Sequence, residues 1–243
     1  MEQFFIDKKN KQRIRKFTEV EKDGEVILQE SKEWQEFKKR KQLTARLQSS
    51  HIPTYVENLS LGDYVGNDTD KILKLEKYVS RFGEKFNTVH LYFWSKENGT
   101  QQTTTSSIVG KLLLEKGFSV QFVLMGSLMK MLSEEKFNEE YTEVLNAIRS
   151  CDFLIIDDSF DKKKATIYKS GFQIPFLDEF LRTRLEIQRK ATCFSSNFSL
   201  DEIDAEVFGS SLKNLMKRSI PDPFLFRSSY ELRNDFDIDD LWG

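Results

Sequence analysis

The sequence contains little cysteine, and this shortage excludes several kinds of protein. Only Cys151 and Cys193 occur among its 243 residues, and each lies in an apolar stretch that is typical of a buried strand. Two cysteines this far apart cannot form a zinc site, and we expect them to be reduced thiols in a reducing compartment. A disulfide-stabilised secreted domain is therefore not expected, and the predicted location is the cytoplasm.

Long apolar runs and an excess of one charge are also missing. The longest apolar runs span only a few residues, whereas a membrane span needs about 20. The first residues, MEQFFIDKKNKQR, contain no apolar region of the kind found in a signal peptide. The 37 Lys and Arg against 39 Asp and Glu leave a formal net charge of −2. This balance excludes nucleic-acid binding through bulk positive charge but leaves room for local basic patches.

Predicted strands and helices alternate in the chain from residue 51 onward. Short apolar runs rich in β-forming residues predict strands at 89–94, 119–124, 153–156 and 191–195. Helical spacing of apolar residues predicts helices at 70–81, 104–116, 128–149 and 175–190. This alternation predicts an α/β fold with a parallel sheet covered by helices on both faces.

Residues 1–50 have a different pattern and form a predicted N-terminal region separate from a core at 51–243. An Asp23-Gly24 turn between two partly alternating stretches indicates a hairpin within residues 13–28. A helix is expected to begin after Ser31, which is a suitable N-cap, with Trp34 and Phe37 on one side. The basic run at 38–41 on this helix is either a solvated face or a contact for a partner or DNA.

A polar loop after the first core strand resembles a phosphate-binding loop. It leads from a strand directly into a helix, whose N-terminus favours anions. Compared with the pattern G-x-x-x-x-G-K-[ST], Lys96, Gln101 and Gln102 replace the first glycine, the second glycine and the lysine. Taken alone, the loop is equally compatible with an ordinary connection. The residues that would surround a nucleotide are Asn98, Gly99, Thr100, Gln101, Gln102, Thr103 and Thr104.

Polar residues follow two later strands. Asp157 and Asp158 end the run FLII, which is the pattern of a Walker B strand: the first acid can hold a Mg²⁺-bound water and the second can polarise the attacking water. Asn197 follows the strand at 191–195 and could position a γ-phosphate and the attacking water. Arg218 ends a helical stretch and could act as an arginine finger for a neighbouring subunit, or be a solvated helix end.

The order of these features is similar to that of DnaC/IstB-type AAA+ ATPases, a family that includes bacterial and phage replicative helicase loaders. The resemblance covers about residues 50–243. The segments that carry it are SHIPTYVENLSLGDY, NGTQQTT, FLIIDD, CFSSNFSLDEI, FGSSLKNLMKRS and the final DDLWG. The resemblance implies a P-loop core with little or no C-terminal lid, and an adenine pocket near residues 52–64.

The same resemblance implies cofactors, roles and partners. Residues 98–104 would bind ATP or ADP, and Thr103 and Asp157 would hold Mg²⁺. Asp158 would act as the catalytic base, Asn197 as the first sensor, and Arg218 as the finger through which subunits assemble. The N-terminal region would dock on a hexameric replicative DNA helicase, and the core would assemble around single-stranded DNA.

The sequence departs from the family pattern most clearly at Gln102. Glutamine lacks the point charge that the loop lysine places against the phosphates, and such a loss typically costs about 10²–10³ in rate. Asp158 stands where many members carry glutamate and has a shorter arm. We therefore predict weak hydrolysis at best, from either a degenerate ATPase or a chain whose lysine was replaced, with Lys96 as a partial substitute for the missing charge.

Two other functions stay compatible with these residues. One is a transposition helper ATPase on the same core, and the other is a nucleotide-inert adaptor or inhibitor of the helicase. No cysteine precedes Cys151, so the N-terminal region has no zinc ribbon, and docking would use its hairpin and aromatic helix. The residues considered for DNA contact are Lys162, Lys163, Lys164, Arg182, Arg184, Arg189 and Lys190.

Overall fold

The structure, a computed structural model, begins with two antiparallel hairpins. It describes residues 4–7, 12–22, 25–97, 100–161, 163 and 173–227. The first four strands are β1 (Phe4–Asp7), β2 (Gln12–Arg15), β3 (Phe17–Lys22) and β4 (Glu25–Glu30). β1 pairs with β2, and β3 pairs with β4 so that Lys22 faces Glu25. The strand pairing expected within 13–28 is confirmed for β3 and β4, although it extends to Glu30 and the predicted turn residues Asp23 and Gly24 lie outside the described residues. The β1–β2 hairpin, which includes Arg13, was not predicted.

Helix α1 (Lys32–Ser49) connects the hairpins to the core. As predicted, Ser31 caps it, since its Oγ accepts from the Trp34 N–H at 3.1 Å. The rings of Trp34 and Phe37 lie 5.4 and 5.0 Å from the ring of Phe5 in β1, so these two aromatics pack partly within their own chain. At its other end α1 buries Leu47 completely.

The core alternates helices with parallel strands. In chain order its elements are α2 (Thr69–Ser80), β5 (Leu91–Trp94), α3 (Gln102–Glu115), β6 (Val120–Leu124), α4 (Met125–Glu134), α5 (Glu139–Ser150), β7 (Phe153–Asp157), α6 (Gln173–Arg182), β8 (Thr192–Ser196), α7 (Ala205–Phe208), α8 (Ser210–Ser219) and β9 (Phe224–Leu225). The strand order is β6-β7-β8-β5-β9, and every neighbouring pair is parallel. Because β5, β8 and β7 are parallel, the segments that follow them emerge at the same edge of the sheet. The position of β8 between β5 and β7 makes these segments neighbours.

Both faces of the sheet are covered, which explains the continuous apolar character of its strands. In β7, Leu154 and Ile156 belong to an apolar cluster that includes residues of α4, α5, α6 and α8. Phe153 and Ile155 belong to a second cluster, which includes residues of α1, α2 and α3. Successive residues of a strand point to opposite faces, so β7 contributes to two cores. The predicted α/β architecture is confirmed.

The segment 128–149, predicted as mostly helical, is divided into α4 and α5. A short 3₁₀ turn at Glu135–Phe137 separates them. Asn138 then caps α5, since its Oδ1 accepts from the Glu140 N–H at 3.0 Å. A side-chain oxygen that caps a new helix competes with continuation of the old one, and this explains the break.

The prediction that Arg184 contacts DNA is wrong. Arg184 is 1% exposed, in a π-helical turn (Thr183–Ile187) that follows α6. Its guanidinium donates to the carbonyl oxygens of Ile148, Cys151 and Ala191 at 3.0–3.1 Å. These carbonyls lie at the C-terminal end of α5 and before β7 and β8, where a cation complements the helix dipole. Arg184 therefore joins the end of α5 to the starts of β7 and β8, at the edge of the sheet opposite the predicted phosphate loop.

The two thiols lie where the sequence placed them, in the interior. Cys151 and Cys193 are both free cysteines and are 2% and 0% exposed. Burial raises the pKa of each thiol above its ordinary value, so both are held in the unreactive protonated form. In the described part of the chain, no helix has the length and apolar character that crossing a membrane requires.

Candidate functional site

The loop between β5 and α3 is anchored to the end of β8. The Ser95 N–H donates to the carbonyl oxygen of Ser196 at 3.2 Å, and Thr100, fully buried, donates its hydroxyl to the Glu97 carbonyl at 3.2 Å. Asn98 and Gly99, two of the predicted nucleotide-binding residues, lie outside the described residues. The rest of the loop forms a tight connection that ends at the N-terminus of α3.

Gln101 adopts the backbone conformation that a phosphate-binding loop normally obtains from glycine. Its φ is +63°, in the left-handed region that side chains other than Gly, Asn and Asp seldom occupy. Its carbonyl accepts from the Thr105 N–H at 2.8 Å, and its side-chain amide donates to the Val65 carbonyl at 2.8 Å. The loop therefore keeps the glycine-type turn despite the replacement, and α3 starts at Gln102.

Gln102 takes the predicted position of the loop lysine but supplies no charge. Its side chain is 8% exposed, and its amide nitrogen lies 3.4 Å from the carbonyl oxygen of Ser196. Lys96, the expected substitute, is instead 69% exposed and paired with Glu202 at 2.7 Å. The hydrogen bond from Lys96, together with those from the Ser199 N–H and hydroxyl, lowers the pKa of Glu202 to about 2. The described loop thus brings no lysine against the start of α3.

Thr103 and Asp157, the predicted metal ligands, are in contact. Thr103 Oγ1 donates to Asp157 Oδ1 at 2.8 Å, across the gap between α3 and β7. The Ser195 hydroxyl of β8 donates to the same carboxylate oxygen. Among the described residues no group of three or more His, Cys, Asp or Glu could hold a metal. One carboxylate and one hydroxyl nevertheless fit Mg²⁺, which commonly takes its remaining oxygen ligands from water and phosphate.

The other predicted catalytic residues lie less close together. Asp158 follows Asp157 directly, with a left-handed φ of +56°, and is half-buried. Asn197 is exposed immediately after β8. Arg218 is 64% exposed and pairs with Glu186 at 2.7 Å. Glu186 lies shortly before β8, toward the opposite edge of the sheet from Asp157, so any role for Arg218 at a nucleotide requires a neighbouring copy.

A small cavity of about 50 Å³ lies beside the loop. Its lining residues are Leu59, Leu61, Asp63, Tyr64, Val65, Gln101, Thr104, Thr105 and Ile108. Lys111 of α3 holds the adjoining segment in place, since its buried ammonium donates to the carbonyls of Leu59 and Glu57. The cavity lies beside residues 59–65, and the expectation of an adenine pocket near residues 52–64 stays a prediction.

Ser195 is the site residue that sequence analysis missed. It is 2% exposed and lies in the run CFSS. The residue pattern of this run predicts a strand but no functional role for Ser195. The single available signal was its place two residues before Asn197, at the end of a predicted strand. Of the basic residues considered for DNA, Arg182 is paired with Asp178 and Glu186 and Lys163 is exposed, while Lys162 and Lys164 lie outside the described residues.

Several solved structures of replication proteins have a fold similar to that of this chain. The chain resembles the DnaC helicase loader with a TM-score of 0.58 and 17% identity, over 70% of this chain and 97% of that one. It resembles DnaI with a TM-score of 0.56 and 18% identity, over 73% and 92% of the two chains. A structure of the replication initiator DnaA bound to AMPPCP and single-stranded DNA matches with a TM-score of 0.55 and 14% identity, over 70% of this chain and 50% of that one.

No protein-family model and no curated protein sequence matches the chain. At the identities found, the structural similarity establishes the fold. The chain has the α/β P-loop fold of AAA+ proteins, and the expected resemblance to DnaC-type structures is confirmed.

Proposed function

We propose that this chain is a helicase-loader-type AAA+ protein, which binds ATP or ADP with Mg²⁺ and delivers or remodels a replicative DNA helicase on single-stranded DNA. One observation carries the proposal. Thr103 and Asp157 meet at 2.8 Å at the N-terminus of α3, in a fold shared with the DnaC helicase loader. A hydroxyl and a carboxylate at this place suit a Mg²⁺–nucleotide complex better than a purely structural contact.

Different residues of the site would bind the phosphates, the cation and the base. Backbone N–H groups at the start of α3 hold phosphate oxygens, and Thr103 and Asp157 hold the cation. Mg²⁺, when bound, neutralises charge on the phosphates and fixes their orientation. The cavity beside Leu61 and Tyr64 takes one edge of the base. Gln102 donates a neutral hydrogen bond where the pattern has an ammonium.

Binding rather than rapid turnover is the expected activity. Asp158 and Asn197 would orient the attacking water, and Arg218 of a neighbouring copy would contact the γ-phosphate. Without the lysine charge, the transition state loses a preorganised interaction that is typically worth about 10²–10³ in rate. The nucleotide would therefore act mainly by stabilising one assembled state of the protein.

Contact with the helicase is assigned to the N-terminal region, residues 1–50, and nucleotide binding to the core, residues 51–243. In the β3–β4 hairpin, Val26 is 70% and Leu28 is 53% exposed. Val26 and Leu28 lie on the same face of β4, and a contiguous exposed apolar patch is typical of a surface that contacts another protein. Single-stranded DNA would lie along the assembled cores, with Lys163 and Arg189 among its contacts, whereas the Lys190 ammonium donates to the Ser150 carbonyl at 2.7 Å.

The experiment that tests this proposal is native mass spectrometry of the protein with a bacterial hexameric replicative helicase, with and without ATP and Mg²⁺. A complex of defined stoichiometry, stabilised by the nucleotide, is the expected result. No complex under either condition would overturn the helicase assignment.

A nucleotide-inert adaptor of the helicase is the second candidate. Two observations favour it, namely the uncharged Gln102 and the pairing of Lys96 with Glu202. A helicase complex that forms equally well with no nucleotide, together with no detectable ATP or ADP binding, would select this candidate.

A further inference from the structure

Ser195 occupies a junction that none of the predicted roles explains. Its hydroxyl donates to Asp157 Oδ1, the oxygen that also accepts from Thr103 Oγ1 at 2.8 Å. Ser195 is 2% exposed and Asp157 8%, so this contact is shielded from water. A hydrogen bond to a shielded carboxylate is stronger than one between neutral groups.

The backbone on both sides of Ser195 is fixed by its neighbours. The Ser159 N–H donates to the Ser195 carbonyl at 2.8 Å, and the Ser95 N–H donates to the Ser196 carbonyl at 3.2 Å. The Ser196 hydroxyl donates to the Ser159 carbonyl at 2.6 Å. The end of β8 is thus tied to the segments that follow β5 and β7, and the Ser195 hydroxyl has a defined place beside Asp157.

Two donors on one oxygen restrict rotation of a carboxylate. Because Thr103 and Ser195 both donate to Oδ1, the torsion of the Asp157 carboxylate is fixed. The position of its second oxygen, Oδ2, is fixed with it. If the Thr103 hydroxyl oxygen binds a cation, Thr103 can no longer be relied on to orient Asp157. The Ser195 hydroxyl would still donate to the carboxylate, and Ser195 would not bind the cation itself. Such outer hydrogen bonds orient ligands and typically change metal affinity about 10–100-fold.

We propose that Ser195 is a positioning residue, which holds Asp157 in the orientation that binds Mg²⁺ together with the nucleotide. This inference rests on the proposed nucleotide-binding function. It assigns to β8 a role in cation affinity that is separate from any role of the exposed Asn197 in orienting the attacking water.

The test is a Mg²⁺ titration of binding to a fluorescent ADP analogue, mant-ADP, by the full chain. For Ser195→Ala we expect the Mg²⁺ midpoint to rise about tenfold, whereas binding in EDTA stays as in the unaltered protein. Ser195→Thr keeps the hydroxyl and should restore the midpoint to within about twofold. Ser107→Ala is the matched control, since Ser107 is fully buried on α3 with no hydrogen-bond partner for its hydroxyl among the described residues.

The outcomes separate the two proposals. Mg²⁺-dependent binding by the unaltered protein with an unchanged midpoint in Ser195→Ala would overturn the role of Ser195 alone. A failure of the unaltered protein to bind mant-ADP at any Mg²⁺ concentration would overturn both. If Ser195→Ala does not fold by circular dichroism, Ser195→Cys keeps a weaker donor of similar size and should raise the midpoint in the same direction; an unchanged midpoint in that variant would equally overturn the inference.

Discussion

Replacing Gln102 by lysine would place a positive charge at the start of α3, where the loop now has a neutral amide. A unit charge about 4 Å from a phosphate charge is worth about 4 kcal/mol at an effective dielectric constant of about 20. Burial of the ammonium at a position only 8% exposed offsets part of this gain. The Ser196 carbonyl, 3.4 Å from the present amide, offers the new ammonium an acceptor.

We therefore expect a net gain of about 1.4–2.7 kcal/mol for Gln102→Lys, which corresponds to an ATP Kd lowered about 10–100-fold. The rate of hydrolysis should rise by up to about 10²–10³, since the charge acts on the transition state as well. Fluorescence titration with mant-ATP and a phosphate-release assay measure the two effects. The gain should be larger for ATP than for ADP, because the restored charge faces the terminal phosphates.

Lys96→Gln is the matched control for this experiment. Lys96 is exposed and paired with Glu202, so its removal should leave nucleotide affinity within about twofold. A Gln102→Lys variant that binds ATP no more tightly than the unaltered protein would refute the idea that a missing charge limits this site. Weakened ATP binding in Lys96→Gln would show instead that Lys96 leaves Glu202 and supplies the charge.

Three further changes test the rest of the structure. Arg184→Met should lower the free energy of unfolding by about 3 kcal/mol in urea denaturation, because it leaves the carbonyls of Ile148, Cys151 and Ala191 without their buried donor. A loss below about 1 kcal/mol would contradict this role. Burial lowers the pKa of His90 to about 4 from its ordinary 6.5, so the unfolded chain takes up the proton first and stability should fall by up to about 3 kcal/mol as the pH drops from 6.5 to 4. His90→Gln should flatten that part of the pH profile, and an equally steep profile in the variant would show that other groups cause it. Lys111→Met should release the Leu59 segment and weaken mant-ATP binding several-fold, while the Mg²⁺ midpoint stays constant. An unaltered mant-ATP affinity would show that the Leu59 segment does not contact the base.

The architecture could largely be predicted because the sheet is covered on both faces. Phe153–Ile156 must be apolar throughout to fill two cores, and such runs are visible in a sequence. The two-residue strand β9 (Phe224–Leu225) is too short to show any periodicity. The division between α4 and α5 depends on one capping residue, Asn138, which local pattern analysis treats as an ordinary polar position.

The candidate site could be predicted only in outline. The expectation that Thr103 and Asp157 lie together followed from the family resemblance, and it agrees with the rule that ligands bind at the carboxyl ends of parallel strands. The contact of Ser195 with Asp157 and the pairing of Lys96 with Glu202 join segments far apart in the chain, and nothing local signals them. Arg184 was expected at the surface because it is charged, and its burial depends on carbonyls that three separate segments bring together.

The position of β8 between β5 and β7 also determines when the site can exist during synthesis. Among the described strands, β5 pairs only with β8 and β9, and Leu91 faces Cys193 in that pairing. A ribosome adding about 5–20 residues per second therefore exposes β5, the loop and α3 for several seconds before their partner strand is made. A nucleotide bound as proposed could not assist the early steps of folding, and the unfinished chain leaves an unpaired apolar strand open to chaperones or to aggregation.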